Sequence, residues 1–307
     1  MYGTEAPFVS VIIPVFNDGE RLRLCLTALA EQTYERSRFE IIVVDNGSDH
    51  LELIQALVAD YDNATLALEP TPGSYAARNR GLALAQGEAI AFTDADCIPA
   101  PDWLAVGVQL LTQTPNCGLV AGQIQLFFQN PDRPTLVELY ESVRALPQRE
   151  FVEVHHYGAT ANVFALRQVI DAVGGFDPHL KSSGDAEWGQ RVYAQGYRQV
   201  YGNAAIVHHP ARSSLAELYQ RTRRLAGGHY DVQMKEATSP RQRQMVFWRL
   251  LLHNLTPPIF FMINTFKNLQ LQGIGQKLKV TWAMVLVRYI SVWELLRLRL
   301  GGKSSRA

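Results

Sequence analysis

Apolar runs of strand length alternate with helix-length segments along the first hundred residues. The first run covers residues 8–15 and the second covers residues 39–44. Short continuous apolar runs of this kind predict buried strands, and strands that alternate with helices predict parallel βαβ units. We therefore expect an α/β half-domain at residues 1–100. Further strands are predicted at 65–68 and 88–93, and helices at 20–31, 51–60 and 76–85.

The remainder of the chain has two different patterns. Residues 101–212 are less regular, with strands predicted near 118–128 and 198–207 and helices near 134–145 and 166–173. Residues 213–307 are predicted to be mostly helical, with a break at the Gly227-Gly228 pair. Their Trp, Phe and Leu residues with spaced Arg and Lys suit an interfacial amphipathic helix or a dimer face. The alternative is that these helices pack on the catalytic core.

Composition and charge restrict the class of protein. The 307 residues are 47% hydrophobic and 19% charged, which is enough for a sizeable core. Lys plus Arg and Asp plus Glu both number 29, so the global charge gives no reason to expect nucleic-acid binding. The three cysteines are widely spaced and fit a reducing compartment. No secretory signal is evident, and no uncharged apolar run is long enough to predict a transmembrane span.

Two carboxylates, Asp94 and Asp96, follow the fourth predicted strand directly. Open α/β sheets form their ligand crevices at the carboxyl ends of strands. Like charges this close together need a cation or a network of donors, and oxygen ligands suit Mg²⁺ or Mn²⁺. The alternative is an acidic turn with solvated side chains.

Other polar residues fall at the same predicted edge of the sheet. The first strand ends in the segment Pro14-Val15-Phe16-Asn17, and the second runs into Asp45 and a turn rich in side-chain oxygens. Arg78 lies near the start of a predicted helix, where its planar guanidinium could bind a phosphate or a base. In a doubly wound topology these groups would converge on one crevice.

Five motifs in sequence order carry a resemblance to a known family. They are Val-Ser-Val-Ile-Ile-Pro-Val-Phe-Asn, Val-Val-Asp-Asn-Gly-Ser-Asp, Ala-Ala-Arg-Asn-Arg-Gly-Leu-Ala-Leu-Ala-Gln-Gly-Glu, Phe-Thr-Asp-Ala-Asp, and Gly-Gly-Phe-Asp-Pro-x-Leu followed by Ser-Gly-Asp-Ala-Glu-Trp-Gly-Gln-Arg. Over residues 8–230 the chain resembles glycosyltransferase family 2. The resemblance implies a GT-A, Rossmann-like fold: a mixed, mainly parallel sheet flanked by helices, here with a C-terminal helical extension. It divides the chain into a catalytic domain at 1–212, with a nucleotide-binding half at 1–100 and an acceptor half at 101–212, and a helical region at 213–307.

The resemblance also implies which residues bind the donor. Asp45 corresponds to the nucleotide-base contact, with a turn or cap aspartate as the alternative, and Asp96 corresponds to the direct metal ligand. Asp94 contacts ribose or metal. His209, with His208 as its neighbour, could complete the metal shell or be structural. The remaining donor contacts are Pro14, Val15, Asn17, Arg78 and Asn162.

The catalytic base implied by the resemblance is Asp185, which would take a proton from the acceptor hydroxyl. Family members often carry Glu-Asp at this place, whereas this chain has Gly184-Asp185. Glu187 is therefore a rival candidate. Trp188 could line the acceptor subsite or simply pack its helix. The basic stretch 221–224 could bind a diphosphate, an anionic acceptor or a lipid surface, or be a solvated helix face.

The sequence thus predicts a metal-dependent, inverting glycosyltransferase with Mg²⁺ or Mn²⁺ as cofactor. Its expected partners are a nucleotide-diphosphate sugar donor and a glycan or lipid-linked acceptor in cell-surface polysaccharide or glycolipid synthesis, with peripheral membrane contact or a homodimer formed through the C-terminal helices. The expected location is cytoplasmic, at or near the membrane face. The alternative function is a catalytically silent nucleotide-sugar-binding scaffold. Nucleotidyl transfer is disfavoured, because the segment after the first strand lacks a Gly-rich loop with Arg and Lys.

Overall fold

The computed structural model describes residues 6–144 and 146–304. The predicted domains at 1–212 and 213–307 include residues 1–5, 145 and 305–307, which lie outside the described residues. The described residues form two compact units, which interleave along the chain. The first contains residues 6–125, 146–179 and 184–209, and the second contains residues 126–144, 180–183 and 210–304. The predicted domain boundary at residue 212 stays a prediction.

An eight-stranded mixed sheet forms the centre of the fold, in the order β3-β2-β1-β4-β7-β6-β8-β5. Strands β1 to β4 pair in parallel, whereas β7 is antiparallel to both β4 and β6, and β5 is antiparallel to β8. The expected mixed sheet flanked by helices is therefore confirmed. The strands are β1 (Val9–Val15), β2 (Phe39–Asp45), β3 (Ala64–Leu68), β4 (Ala89–Thr93), β5 (Ile98–Pro99), β6 (Cys117–Phe127), β7 (Asn162–Leu166) and β8 (Arg198–Pro210).

Helices of the first unit connect and cover these strands. The central strands β1 and β4 are buried on both faces, which explains why they appear in the sequence as continuous apolar runs. Helix α1 buries Leu22, Leu26 and Leu29, the stripe expected from their spacing. The helices of this unit are α1 (Gly19–Ala30), α2 (Leu51–Ala59), α3 (Ser74–Leu84), α4 (Trp103–Gln113), α6 (Gln148–Glu153), α7 (Arg167–Val173) and α8 (Gly184–Ala194), with a 3₁₀ turn at Arg36–Arg38.

The second unit is built mainly from helices around a core of its own. Val137 and Tyr140 of one helix pack with Leu218, Val280 and Met284. A second cluster joins Phe247, Leu250, Leu251 and Leu295. Within residues 6–144 and 146–304, no single helix combines the length and apolarity needed to cross a bilayer; only α10 and α11 together do, across a bend of 41°. The helices are α5 (Leu136–Arg144), α9 (Leu215–Glu236), α10 (Pro240–Leu255), α11 (Ile259–Lys267) and α12 (Gly273–Arg299).

The predicted helix break at Gly227-Gly228 is wrong, because α9 runs without interruption from Leu215 to Glu236. Both glycines are buried, and each lies against a serine of the same unit. A Cβ at Gly227 would lie 2.9 Å from Cβ of Ser304, and a Cβ at Gly228 would collide with the side chain of Ser182. The two glycines are therefore explained by close approach to other segments rather than by chain reversal.

Candidate active site

The parallel register brings three predicted groups to one edge of the sheet. Val15, the last residue of β1, pairs with Asp45, the last residue of β2. Asp94 directly follows Thr93 at the end of β4, which is the other neighbour of β1. Because neighbouring parallel strands end on the same side, the segments after β1, β2 and β4 all border the crevice expected there.

Asp45 lies at the start of a tight turn, and only one of its two carboxylate oxygens accepts hydrogen bonds within the described residues. It is 3% exposed. Its Oδ2 accepts from the backbone N–H groups of Gly47 and Ser48 at 3.0 and 3.1 Å, and Gly47 adopts φ +89° to allow the turn. Its Oδ1 is buried and has no hydrogen-bond partner among the residues that the structure describes. A buried acceptor of this kind favours a ligand that brings a donor, such as a base N–H.

Asn17 ties the end of β1 to the turn that follows β2. Its Nδ2 donates to Oδ2 of Asp49 at 2.9 Å, while its Oδ1 accepts from the Asp49 backbone N–H at 2.8 Å. Its own backbone N–H donates to Oγ of Ser48 at 2.8 Å. Next to it, Val15 is buried and Pro14 is half-buried. Asn17 is thus placed to hold the loop around Asp45 in shape.

Arg78 is paired with Asp94. This arginine lies on α3 and is 3% exposed, and its Nη2 donates to Oδ1 of Asp94. The guanidinium carbon also lies 5.8 Å from the ring centroid of Tyr75, a cation–π distance. The ion pair fixes one oxygen of Asp94, so Arg78 orients that carboxylate in the described structure.

Asp185 lies in the first turn of α8 and contacts Tyr75, the residue whose ring lies beside Arg78. The Tyr75 hydroxyl donates to its Oδ1 at 3.4 Å, and the Ala186 backbone N–H donates to the same oxygen at 3.0 Å. Burial raises the pKa of Asp185 above its ordinary value, although the Arg78 guanidinium opposes the shift. A carboxylate with a raised pKa is a stronger base than an ordinary aspartate, which suits proton abstraction from a hydroxyl.

Gly184 explains why this chain departs from the Glu-Asp pair common in the family. A Cβ at this position would lie 2.7 to 2.8 Å from three carbons of the Tyr75 ring. Real Cβ atoms are not found this close to another heavy atom, so a larger residue would displace the tyrosine. The tyrosine ring therefore occupies the space in which a glutamate side chain would begin.

Glu187, the rival base, is engaged elsewhere. Its two oxygens accept from Nε and Nη2 of Arg191 at 2.6 and 3.1 Å, and the same arginine donates to the carbonyls of Val173 and Gly175.

Trp188 is 1% exposed, donates from its indole to the carbonyl of Gly174 and packs with Phe92 and Phe176. The geometry therefore favours Asp185 over Glu187 and gives Trp188 a packing role.

Asp96, Cys97 and His209 form a cluster that could hold a metal ion. Their potential ligand atoms all lie within 4.8 Å of one another. The antiparallel pairing of Ile98 with His208 brings β8 alongside the turn after β4. As a result, Nε2 of His209 lies 3.6 Å from Oδ2 of Asp96. Carboxylate oxygen suits Mg²⁺ and Mn²⁺, and imidazole nitrogen suits transition-metal ions, so this pair of residues fits Mn²⁺ better than Mg²⁺. Burial and then the nearby carboxylates raise the pKa of the Cys97 thiol, which disfavours the thiolate form.

Asn162, the first residue of β7, pairs with Thr93 at the end of β4 and is buried in the sheet. It is 0% exposed, and its Oδ1 accepts from the Trp103 indole at 2.8 Å. Its Nδ2 donates to the carbonyls of Gln123 and Ala205, both at 2.9 Å. All of its amide groups are thus used in joining β7 to its surroundings, and the contact with the donor sugar stays a prediction.

The basic stretch 221–224 lies on α9 and pairs with acids of the second unit. Arg221 lies 3.6 Å from Glu141, and Arg223 donates to Glu294 at 2.9 Å. Both of these glutamates are buried. These two arginines therefore neutralise buried carboxylates in the described structure.

Two residues at the site were not singled out from the sequence. Tyr75 contacts Asp185, and Nη1 of Arg21 lies 3.6 Å from Oδ2 of Asp96. The signal for Tyr75 was its position three residues before Arg78, on the same helical face. Arg21 also lies three residues from an ionisable residue, Asp18, and its Nε is 3.3 Å from Oδ1 of that aspartate.

Comparisons with known proteins agree with this fold and arrangement. Residues 10–175 match the model of "Glycosyl transferase family 2", more than half of the chain. The chain is 35% identical to "Glycosyltransferase AglE" of Haloferax volcanii over 291 residues, which cover 94% of this chain and 92% of that protein.

Two solved structures resemble the fold at low sequence identity. One is a mannosyltransferase from Pyrobaculum calidifontis in complex with GDP-Man and Mn²⁺, with TM-score 0.61 and 20% identity over 94% of this chain and 88% of that one. The other is GalNAc-T7 with UDP, GalNAc and Mn²⁺, with TM-score 0.55 and 17% identity over 74% of this chain and 49% of that one. These likenesses concern the fold, and the family match and the sequence relative carry the assignment: the chain is a glycosyltransferase that belongs to glycosyl transferase family 2.

Proposed function

We propose that this glycosyltransferase is metal-dependent and inverting, and that it moves a sugar from a nucleotide-diphosphate donor to an acceptor hydroxyl. The observation that carries the proposal is the cluster of Asp94, Arg78, Tyr75 and Asp185. These contacts support the proposal, because Asp185 lies next to Tyr75 and Asp94 lies next to Arg78 at the predicted donor-binding edge of the sheet. Burial raises the pKa of Asp185, the Arg78 guanidinium opposes the shift, and the charge of Asp94 adds to it.

The nucleoside would be bound at the ends of β1 and β2. The unpartnered Oδ1 of Asp45 would accept a hydrogen bond from the base, and Asn17 would keep the surrounding turn in shape. Pro14 and Val15 would form the wall beside it. Because the turn is already held by side-chain hydrogen bonds, little ordering would be needed when the nucleotide binds.

Asp96 and His209 would hold Mg²⁺ or Mn²⁺. Their oxygen and nitrogen atoms fit such an ion, and the Mn²⁺ in the two structural neighbours supports the choice. When bound, the cation supplies charge neutralisation for the departing diphosphate. Asp94, whose Oδ1 is held by Arg78, would contact the ribose or the metal with its other oxygen.

Asp185 would act as the general base. The oxygen of the acceptor hydroxyl attacks the anomeric carbon while its proton passes to Asp185. The bond from the anomeric carbon to the diphosphate oxygen breaks, and the diphosphate leaves with the electron pair. One carboxylate and one in-line displacement convert an α-linked donor into a β-linked product.

The acceptor is proposed as a glycan or a lipid-linked glycan in cell-surface polysaccharide or glycolipid synthesis. A cytoplasmic location is proposed on the ground that Cys25, Cys97 and Cys117 are all free and buried.

The decisive experiment follows donor cleavage and transfer with GDP- and UDP-sugars, with Mn²⁺, with Mg²⁺ and after chelation. Calorimetry with the matching nucleoside diphosphates is run beside it. We expect at least one donor to be turned over only when a divalent cation is present. Tight binding without turnover of any donor would indicate the silent scaffold instead, and full activity after chelation would contradict the metal requirement.

A further inference from the structure

The C-terminal helices differ from the rest of the chain in charge. Residues 240–304 contain ten Lys and Arg residues but a single acid, Glu294, in a chain whose overall net charge is zero. Glu294 is buried and accepts hydrogen bonds from Arg223 and Arg297, so it contributes little negative potential to the surface. The surface of this segment is therefore strongly basic.

Helix α12 carries two apolar stripes. Val280, Met284, Ser291, Leu295 and Leu298 form the buried one, together with Thr281, Ala283 and the paired Glu294. A second set at helical spacing is exposed: Leu278, Trp282, Tyr289, Trp293, Leu296 and Leu300 are 40% to 89% exposed. A helix that packs only on its own unit needs one stripe, so the exposed stripe has no partner within the described residues.

The two preceding helices, which both contact α12, repeat this arrangement. On α10, Met245, Trp248, Leu252 and Leu255 are exposed, while Phe247, Leu250 and Leu251 are buried. On α11 and just after it, Ile259, Phe260, Ile263, Phe266 and Leu269 are exposed, with Phe260 at 86% and Leu269 at 97%. We call the exposed apolar residues of α10, α11 and α12 the apolar face.

A cation stands next in sequence to an exposed apolar residue in each of α10, α11 and α12. Arg249 follows Trp248, Lys267 follows Phe266, Lys279 follows Leu278, and Arg299 precedes Leu300. Long basic side chains can lie along apolar surface while their charged ends reach lipid headgroups. Exposed Trp and Tyr with Lys and Arg, and almost no acid, make up the composition of a helix that lies in a membrane interface.

From these observations we propose that the apolar face of α10–α12 binds the surface of a lipid bilayer rich in anionic headgroups. A second copy of the chain is a poorer occupant, because two faces of the same positive sign would repel each other. Among the described helices, only the bent pair of α10 and α11 meets the length and composition required of a membrane span, so a spanning arrangement is the poorer alternative. Lipid binding is independent of the proposed reaction, and it is measured without donor or turnover.

The first experiment is flotation of the full chain with phosphatidylcholine vesicles, with and without about 30% phosphatidylserine, the range in which basic segments respond to surface charge. We expect binding to the anionic vesicles, weak binding to the neutral ones, and loss of most of the binding as salt is raised. Equal binding to both vesicle types, or no binding to either, would overturn the proposal.

Paired variants test the two contributions separately. Trp282→Ser with Trp293→Ser should lower vesicle affinity at least tenfold, because two large apolar groups are lost from the interface. Lys267→Gln with Lys279→Gln should lower it about 10- to 30-fold on anionic vesicles only. The matched controls lie in the first unit, are also exposed, and should have no effect: Leu24→Ser with Val154→Ser, and Arg23→Gln with Arg36→Gln. If the controls lower binding as much as the test variants, the assigned face is wrong.

Tryptophan quenching on the unaltered chain keeps the proposal testable if a variant fails to fold. Trp248, Trp282 and Trp293 are exposed, whereas Trp103 and Trp188 are buried in the first unit. Vesicles with brominated acyl chains should therefore quench part of the fluorescence. Absence of quenching in vesicle-bound protein would overturn the proposal. Light scattering without vesicles should give a monomer, and a dimer dissociated by the Trp282→Ser, Trp293→Ser variant would assign the face to a second copy instead.

Discussion

Replacing Asp185 by asparagine isolates the proposed base from every other feature of the site. The amide keeps the shape of the carboxyl group but cannot take a proton from an acceptor hydroxyl. General-base catalysis by a positioned side chain contributes about 10²- to 10⁴-fold, or about 3 to 5 kcal/mol of transition-state free energy. We expect the whole factor to be lost, because Glu187, the next acid on α8, is held by Arg191 through two hydrogen bonds.

Asp185→Asn should raise the stability of the folded protein at pH 7, although it lowers the activity. The pKa of Asp185 is raised by burial, so the folded protein holds this proton more tightly than the unfolded chain does. This contribution to stability is fully present below the unfolded pKa of about 4 and is lost as the pH rises through the folded pKa. At pH 7 the half-buried, ionised carboxylate of Asp185 therefore lowers stability, and Asp185→Asn removes that effect. We expect a higher Tm for the variant at pH 7 and a difference that shrinks towards pH 4.

The assay is kcat/KM for transfer, with calorimetric titration of the nucleoside diphosphate and thermal unfolding at pH 7 and pH 4. Glu187→Gln is the matched control, with the same change of carboxylate to amide on the same helix. Its ion pair is about one-third exposed on each side, so its loss should cost only about 0.5 kcal/mol, with activity nearly unchanged. The reasoning is refuted if Asp185→Asn keeps more than about a tenth of the activity, or if Glu187→Gln loses as much as Asp185→Asn.

Three further substitutions test the metal, the nucleoside and the sheet. Asp96→Asn should abolish stimulation by divalent cations while the fold is kept, and a Tm that Mn²⁺ still raises as in the unaltered chain would contradict the assignment. Asp45→Asn should weaken nucleoside diphosphate binding about 10- to 100-fold in calorimetry, because the backbone N–H groups of Gly47 and Ser48 would hold the amide oxygen and leave the NH2 group facing the donor of the base. An unchanged Kd would remove Asp45 from the pocket. Asn162→Ala should lower the free energy of unfolding by about 3 kcal/mol in a denaturant titration, since the Trp103 indole and two carbonyls lose their partner. Thr112→Ala, which removes only local hydrogen bonds within α4, should cost less than about 1 kcal/mol.

The elements that could be predicted from sequence were those whose signal is local. Strands β1, β2 and β4 are buried on both faces, so each appears as an uninterrupted apolar run. Asp45 and Asp94 were placed correctly at strand ends for the same reason. Strand β7 was not predicted, because five residues that begin with Asn162 carry little periodicity of their own.

Features that depend on contacts distant in sequence were not predictable in the same way. The sequence did not indicate that Arg78 pairs with Asp94, and its contact with phosphate or base stays a prediction. The Gly227-Gly228 pair was expected to interrupt a helix, whereas its smallness serves a close approach to Ser182 and Ser304. In both cases the residue type indicated that the position was special. The contacting residue, however, lies elsewhere in the sequence and could not be identified from the local pattern.

The fit of Gly184 against Tyr75 means that these two positions cannot vary independently. A glutamate at position 184 could be accommodated only if the aromatic ring at position 75 became much smaller. That second change would also remove the hydroxyl that donates to Asp185. The exchange would replace a neutral donor beside Asp185 with a second negative charge, which would raise the proton affinity of Asp185 further. Relatives with a glutamate before the aspartate should therefore carry a small residue where this chain has Tyr75, and neither half of the exchange should be tolerated alone.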